Sequence, residues 1–423
     1  MKHTLTTLPS GLRIITIPLK DSPTATVLVM VEAGSKYETK EINGLSHFLE
    51  HMCFKGTVKR PTALSITHEL DALGARSNAF TSHEFTGYYA KAEKTHVLKL
   101  LDIISDIYLN PVFDQKEIDK ERGVVTEEIN MYLDMPQRQI YDLFPKLLYG
   151  NQPAGWPIAG PKENIKRFSR EDFIRYRSNH YIPQTTTVVI AGGFDEGELI
   201  TQASKIFSSS SSAKKVGKES VKESQEKPAV LIEEKKTDQT HLMLGVRTYP
   251  LSSSHTPALK LLSAVLGGGM SSRLFQKLRE KMGVAYYARA EAEFFTDHGY
   301  LSVATGVPGN RLNEVVAELI SELKILRKAE IDAKELQKAK DYLTGTMYLD
   351  LESSDDIAEF YGYQAVMRKD IESPDTLVSD ISAVNSKNLL ALSQTIFIPQ
   401  QVNLALIGSG ADSTALEKTL SLL

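Results

Sequence analysis

Apolar and polar residues alternate through the opening segment HTLTTLPSGLRIITIPL, which predicts two short strands joined by a Ser-Gly turn. TATVLVMVEAGS (24–35) predicts a third strand. From 44 to 55 the period changes: Leu45, Phe48, Leu49 and Met52 fall on one face of a helix, with Asn43 as the expected N-cap and Gly56 as the stop. A strand pair within 75–93 and amphipathic helices at 95–109 and 114–133 follow. The same order then returns as a strand at 240–251, a helix at 256–266, a strand pair at 284–307, and helices at 310–327 and 332–349. Each half closes on an aromatic-Ile-Pro-Gln sequence and an apolar strand ending in glycine. These are YIPQTTTVVIAGGF from Tyr181 and FIPQQVNLALIGSG from Phe397.

This repetition predicts an internal duplication. The expected fold class is α+β, with two homologous α/β sandwich domains, each a mostly antiparallel sheet covered by helices. The boundaries follow from composition. SSSSSAKKVGKESVKESQEKP (208–228) is serine-rich, charged and almost free of apolar residues, so it is expected to be a solvated linker between domains 1–207 and 229–423. A net charge of −4 argues against a nucleic-acid partner. No run approaches the 18 or so apolar residues of a membrane span, and the opening residues lack the apolar core of a signal peptide. A cytoplasmic protein with no membrane partner is the expectation. Cys53 is the only cysteine, so no disulfide framework is expected.

The chemistry concentrates in NGLSHFLEHMCFKGT (43–57). Residues i and i+4 share a helix face, so His47 and His51 can present imidazoles to one ion, with Glu50 on the same side. A zinc peptidase needs two such histidines, a third protein ligand and a carboxylate that handles water without binding the metal. His-x-x-Glu-His offers that set in the order called inverzincin. The third ligand is sought in DQKEIDKERGVVTEEINMYLDMP (114–136). Glu121 and Glu128 share a face there, about 10.5 Å apart along the axis. One can ligate while the other holds a histidine in place. Spacing alone does not separate Glu128 from its neighbour Glu127. Cys53 points away from His51 and is expected to be a buried small hydrophobe.

GLSHFLEHMCFKGT resembles the signature of the pitrilysin/insulinase family of zinc metallopeptidases, including its bacterial processing-peptidase-like members, and the resemblance extends over nearly the whole chain. It implies that His47, His51 and Glu128 bind Zn2+, that Glu50 is the general base, and that Glu121 supports the ligands. In GGGMSSRLFQKLREKMGVAYYARAE (267–291) no lysine-serine or lysine-threonine pair follows the glycines at P-loop spacing, so a nucleotide site is not expected. From the residues alone, Arg279 could pair with Glu280 or Glu291, and Tyr286 could pack in a strand. The family resemblance implies instead that both reach the substrate. In GARSNAFTSHEFTGYY (74–89) it implies that Asn78, Ala79 and Phe80 form a strand along which a peptide lies.

The second half has no His-x-x-Glu-His, so one metal site is expected, with the two halves closing on the substrate as a chamber. The implied activity is zinc-dependent endopeptidase action on peptides or unfolded polypeptide segments. The implied partner is a second copy or a homologous chain, as a homodimer or heterodimer. A non-catalytic scaffold is the alternative, disfavoured by the intact motifs.

Overall fold

The computed structural model describes residues 2–208, 214–368 and 370–423. The chain forms two compact units, one of Met1–Asn130, Trp156–Glu219 and Leu349–Ser373, the other of Met131–Gly155, Ser220–Tyr348 and Pro374–Leu423.

In the first unit the strands are β1 (Thr4–Thr7), β2 (Arg13–Pro18), β3 (Thr24–Val31), β4 (Arg76–Thr81), β5 (Thr86–Glu93) and β6 (Thr186–Gly192). They lie in the order β1-β2-β6-β3-β5-β4, antiparallel except for the β2–β6 pair. The second unit holds β7 (Ala229–Glu234), β8 (Thr240–Thr248), β9 (Ala288–Phe294), β10 (Gly299–Val307) and β11 (Val402–Gly408). Their order is β7-β11-β8-β10-β9, again antiparallel except at β7–β11. Apart from β1, the second sheet repeats the first strand for strand, as the duplicated pattern predicts. The repeated Ile-Pro-Gln forms the same device twice: short 3-10 turns, Pro183–Thr185 and Pro399–Gln401, lead into β6 and β11.

Chain order and packing diverge at two helices. Pro136–Tyr149, from the first half, covers β8 and β11 in the second unit. There Phe144 meets Tyr300 edge-on at 5.6 Å, and the Tyr149 hydroxyl donates to Gly299 O at 3.2 Å. Ser354–Met367, from the second half, lies on β3 and β6 in the first unit, burying Ile357, Ala358, Tyr361 and Ala365. Its start is held by Ser354 Oγ at 2.8 Å from Thr26 Oγ1 and by Lys91–Asp355 at 2.6 Å. Near its end, Arg13 Nη1 donates to Ala365 O at 2.6 Å. The two helices hold equivalent places in the repeat. Each half thus contributes one helix to the sheet of the other.

Of the expected linker 208–228, residues 209–213 lie outside the described residues. From 214 to 228 there is no helix or strand, and this stretch is bound at intervals. In the first unit Lys215 pairs with Glu32 and Lys218 with Glu84. In the second, Val221 N donates to Asp297 Oδ2 at 3.1 Å and Lys222 N to Gln152 Oε1 at 2.9 Å. No helix among the described residues is long and apolar enough to cross a membrane.

Candidate metal centre

The helix Leu45–Cys53 turns Leu45, Phe48, Leu49, Met52 and Cys53 into the core of the first unit, all fully buried. That apolar face fixes the helix's rotation and leaves His47, Glu50 and His51 half-buried on the other side. Two local expectations change. The N-cap is Gly44, not Asn43, and Asn43 instead donates its side-chain amide to Glu38 at 3.0 Å. The helix ends at Phe54, two residues before Gly56.

Facing it is the helix Gln115–Leu133, in which Glu121 is buried, Glu128 half-buried and Glu127 exposed. Glu128 is the acid that reaches the histidines, with Oε2 at 3.3 Å from His51 Nε2 and Oε1 at 3.7 Å from His47 Nε2. One ligating atom each from His47, His51 and Glu128 lies within 4.8 Å of the other two, the single such group of three among the described residues. Glu121, one step back, has Oε1 3.0 Å from His51 Nδ1 and Oε2 2.6 Å from Lys55 Nζ. Burial raises the Glu121 pKa, but His51 and Lys55 outweigh it and hold the carboxyl below its ordinary value. An ionised carboxylate only accepts, so His51 Nδ1 carries a proton toward Glu121 and, with no ion between them, Nε2 carries one toward Glu128.

The electrostatics describe a site built for positive charge. Without an ion, burial opposes protonation of His51, yet Glu121 and Glu128 override it and lift its pKa to about 9. His47 and His51 beside it hold Glu128 well below the carboxylate range. Two imidazole nitrogens and one carboxylate oxygen suit zinc and leave a fourth position open. Glu50 stays outside the group: Thr81 Oγ1, at the end of β4, donates to its Oε2, and burial raises its pKa. Cys53 is inert. Its Sγ donates to Tyr88 OH at 3.6 Å, and burial pushes its pKa up to about 12.

Asn78, Ala79 and Phe80 lie on β4, the edge of the first sheet, with one side unpaired. Ala79 packs against the core, opposite Tyr88, on the face that also carries Thr81. Asn78 and Phe80 take the other face, where the Phe80 ring lies over Gly87 so closely that a Cβ there would be 2.4 Å from it.

Arg279 and Tyr286 are in the second unit, beside each other. Arg279 lies on a π-helical segment, Phe275–Lys281, a winding that favours functional positions. Its guanidinium stacks between Phe275 and Tyr286, at 4.9 and 5.1 Å from their centroids, and donates to Tyr286 O at 3.2 Å. The contact to Glu280 is loose, at 3.9 Å. Tyr286 precedes β9 and is 76 % exposed, so it does not pack in a strand.

Three supporting residues escape a reading of the motifs: Lys55, Thr81 and Glu38. Lys55 stands four residues after His51, a helical spacing that could have flagged it. Thr81 and Glu38 reach the helix from other elements, and nothing in their spacing marks them.

Two family models match the chain. The one described as insulinase (Peptidase family M16) covers residues 13–162, and the one described as Peptidase M16 inactive domain covers 167–343. The chain is 35 % identical over 395 residues to the uncharacterized zinc protease YmxG of Bacillus subtilis, spanning 92 % of this chain and 95 % of the relative. It is 31 % identical over 419 residues to an uncharacterized zinc protease of Streptomyces coelicolor, spanning 97 % and 90 %. The crystal structure of a protease from Helicobacter pylori superposes with a TM-score of 0.90 at 24 % identity, covering 96 % of this chain and 99 % of that one, a likeness of fold. With relatives this similar along almost their full length, and family models on both halves, the chain belongs to the insulinase (M16) family of peptidases.

Proposed function

We propose that the chain is a zinc-dependent endopeptidase acting on peptides or unfolded polypeptide segments, with His47, His51 and Glu128 as ligands and Glu50 as general base. The observation that carries this is the convergence of three ligating atoms beside a glutamate held out of the group. Zinc in such a donor set supplies Lewis acidity, lowering the pKa of a water and polarising a carbonyl. Thr81 occupies Glu50 Oε2, which leaves Oε1 to take the proton of the attacking water. Burial raises that carboxyl's hold on the proton, so Glu50 can keep it and pass it to the amine nitrogen as the C–N bond breaks. The free edge of β4 at Asn78, Ala79 and Phe80 would take an extended peptide as an added strand, read mainly through its backbone. Arg279 and the solvent-exposed Tyr286 would donate hydrogen bonds to the developing oxyanion. A second copy or a homologous chain is the proposed partner, to be sought by light scattering.

Cleavage of a quenched-fluorescent peptide pool by wild type and Glu50→Gln, matched for zinc, tests the reading. Wild type should cut, and Glu50→Gln should keep its zinc and lose about 10²–10⁴ in turnover. Equal rates would remove Glu50 from the mechanism. His51→Ala and Glu128→Gln should release zinc, and retention at wild-type affinity would remove either from the ligand set.

A further inference from the structure

The two histidines of the centre are held differently. His51 is oriented through its side chain, by Glu121. His47 Nδ1 is buried with no hydrogen-bond partner among the described residues, so no side chain fixes that edge of its ring. His47 is the third residue of its helix, and its place follows from how the first turn is anchored.

That anchor comes from outside the helix. The first turn leaves N–H groups without intrahelical partners, which Ser, Asp or Asn at the N-cap would normally satisfy. The N-cap here is Gly44, with φ of 98° and an ideal Cβ only 2.6 Å from Ala159 O, so no capping side chain can stand there. Glu38, six residues earlier and 4 % exposed, supplies the acceptors instead. Its Oε1 accepts from Ser46 N at 2.6 Å, and its Oε2 accepts from Gly44 N at 2.9 Å and from Asn43 Nδ2 at 3.0 Å. Asn43 Nδ2 also donates to Pro157 O at 3.0 Å, tying the assembly to a neighbouring loop. Burial raises the Glu38 pKa to about 7, while these hydrogen bonds and its place at a helix N-terminus favour the carboxylate.

We infer that Glu38 is a positioning residue for the metal: it fixes the first turn of the helix and through it His47, as Glu121 fixes His51. This rests on the reading of His47, His51 and Glu128 as zinc ligands. Gln at position 38 keeps the shape but turns an amide NH2 toward a backbone or Asn43 donor, so one of the three bonds must break.

Zinc affinity by chelator competition, with Co2+ absorption as a second probe, decides the matter. Glu38→Gln should bind zinc about ten- to a hundredfold more weakly than wild type, with a changed Co2+ spectrum. Combined with Glu121→Gln, the loss should exceed that of either variant alone, because the two carboxylates hold different ligands of one ion. If Glu38→Gln does not fold, Asn43→Ser should show a smaller loss in the same direction. Wild-type affinity and spectrum in a folded variant would overturn the role of Glu38. Absence of zinc binding by wild type itself would instead overturn the ligand assignment.

Discussion

Burial shapes single residues away from the metal as strongly as at it. His180 ends the helix Arg170–His180 with its ring against Tyr176 at 4.5 Å and Tyr37 at 5.6 Å, and burial lowers its pKa to about 4. The unfolded chain takes up this proton near the ordinary value of about 6.5, the folded chain only near 4. Between those values the unfolded state binds more protons, so stability is full above the upper one and is lost as pH falls. His180→Phe should flatten that acid limb, removing roughly 3 kcal/mol of pH dependence in urea denaturation between about pH 7 and pH 4. An unchanged slope would mean that another group carries it. No residue pattern announces this histidine: in the sequence it ends the polar run RSNH, and the rings of Tyr176 and Tyr37 come to it from other positions in the chain.

Among the elements, the glycine triplet 267–269 turns out to be a packing surface. The helix Thr256–Gly267 approaches β9 so closely that a Cβ on Gly267 would lie 2.1 Å from Ala290 N. Cβ atoms on Gly268 and Gly269 would each meet the Tyr342 ring at 3.0 Å. Gly267→Ala should therefore destabilise the second unit by about 1–3 kcal/mol in urea denaturation while leaving zinc affinity unchanged, since the ligands belong to the first unit. A neutral effect on stability would show that the helix can shift off the strand. Helices and strands themselves were legible because one apolar face repeats at 3.6 or 2 residues, as in Leu45–Cys53 and β3. Less legible were contacts between elements distant in sequence. The pair His51–Glu121 was within reach of spacing and family resemblance, whereas Thr81–Glu50 and Glu38–Ser46 depend on how separate segments meet.

For the whole molecule, the duplicated order was readable but the exchange of helices was not. An amphipathic helix declares that it will cover a sheet and says nothing about which one. Pro136–Tyr149 looks like the next element of its own half and instead covers β8 and β11. Residues 1–207 carry all three proposed ligands and Glu50 yet lack Ser354–Met367, which buries Ile357, Ala358, Tyr361 and Ala365 on β3 and β6. That burial is worth on the order of 5–10 kcal/mol, comparable to the entire net stability of a domain. Residues 1–207 produced alone should show no cooperative unfolding transition, and co-production with 229–423 should restore one. A stable, zinc-binding 1–207 would contradict the exchange.

The reciprocal exchange also bears on ancestry. Suppose a single half-length chain with this order of elements, the helix equivalent to Pro136–Tyr149 directed away from its own sheet. Alone, it would leave that sheet bare on one side. Two identical copies would complete each other by trading arms. Gene fusion would then have joined two polypeptides that already depended on one another, and only one of them need carry His-x-x-Glu-His, since the shared architecture does not rest on it.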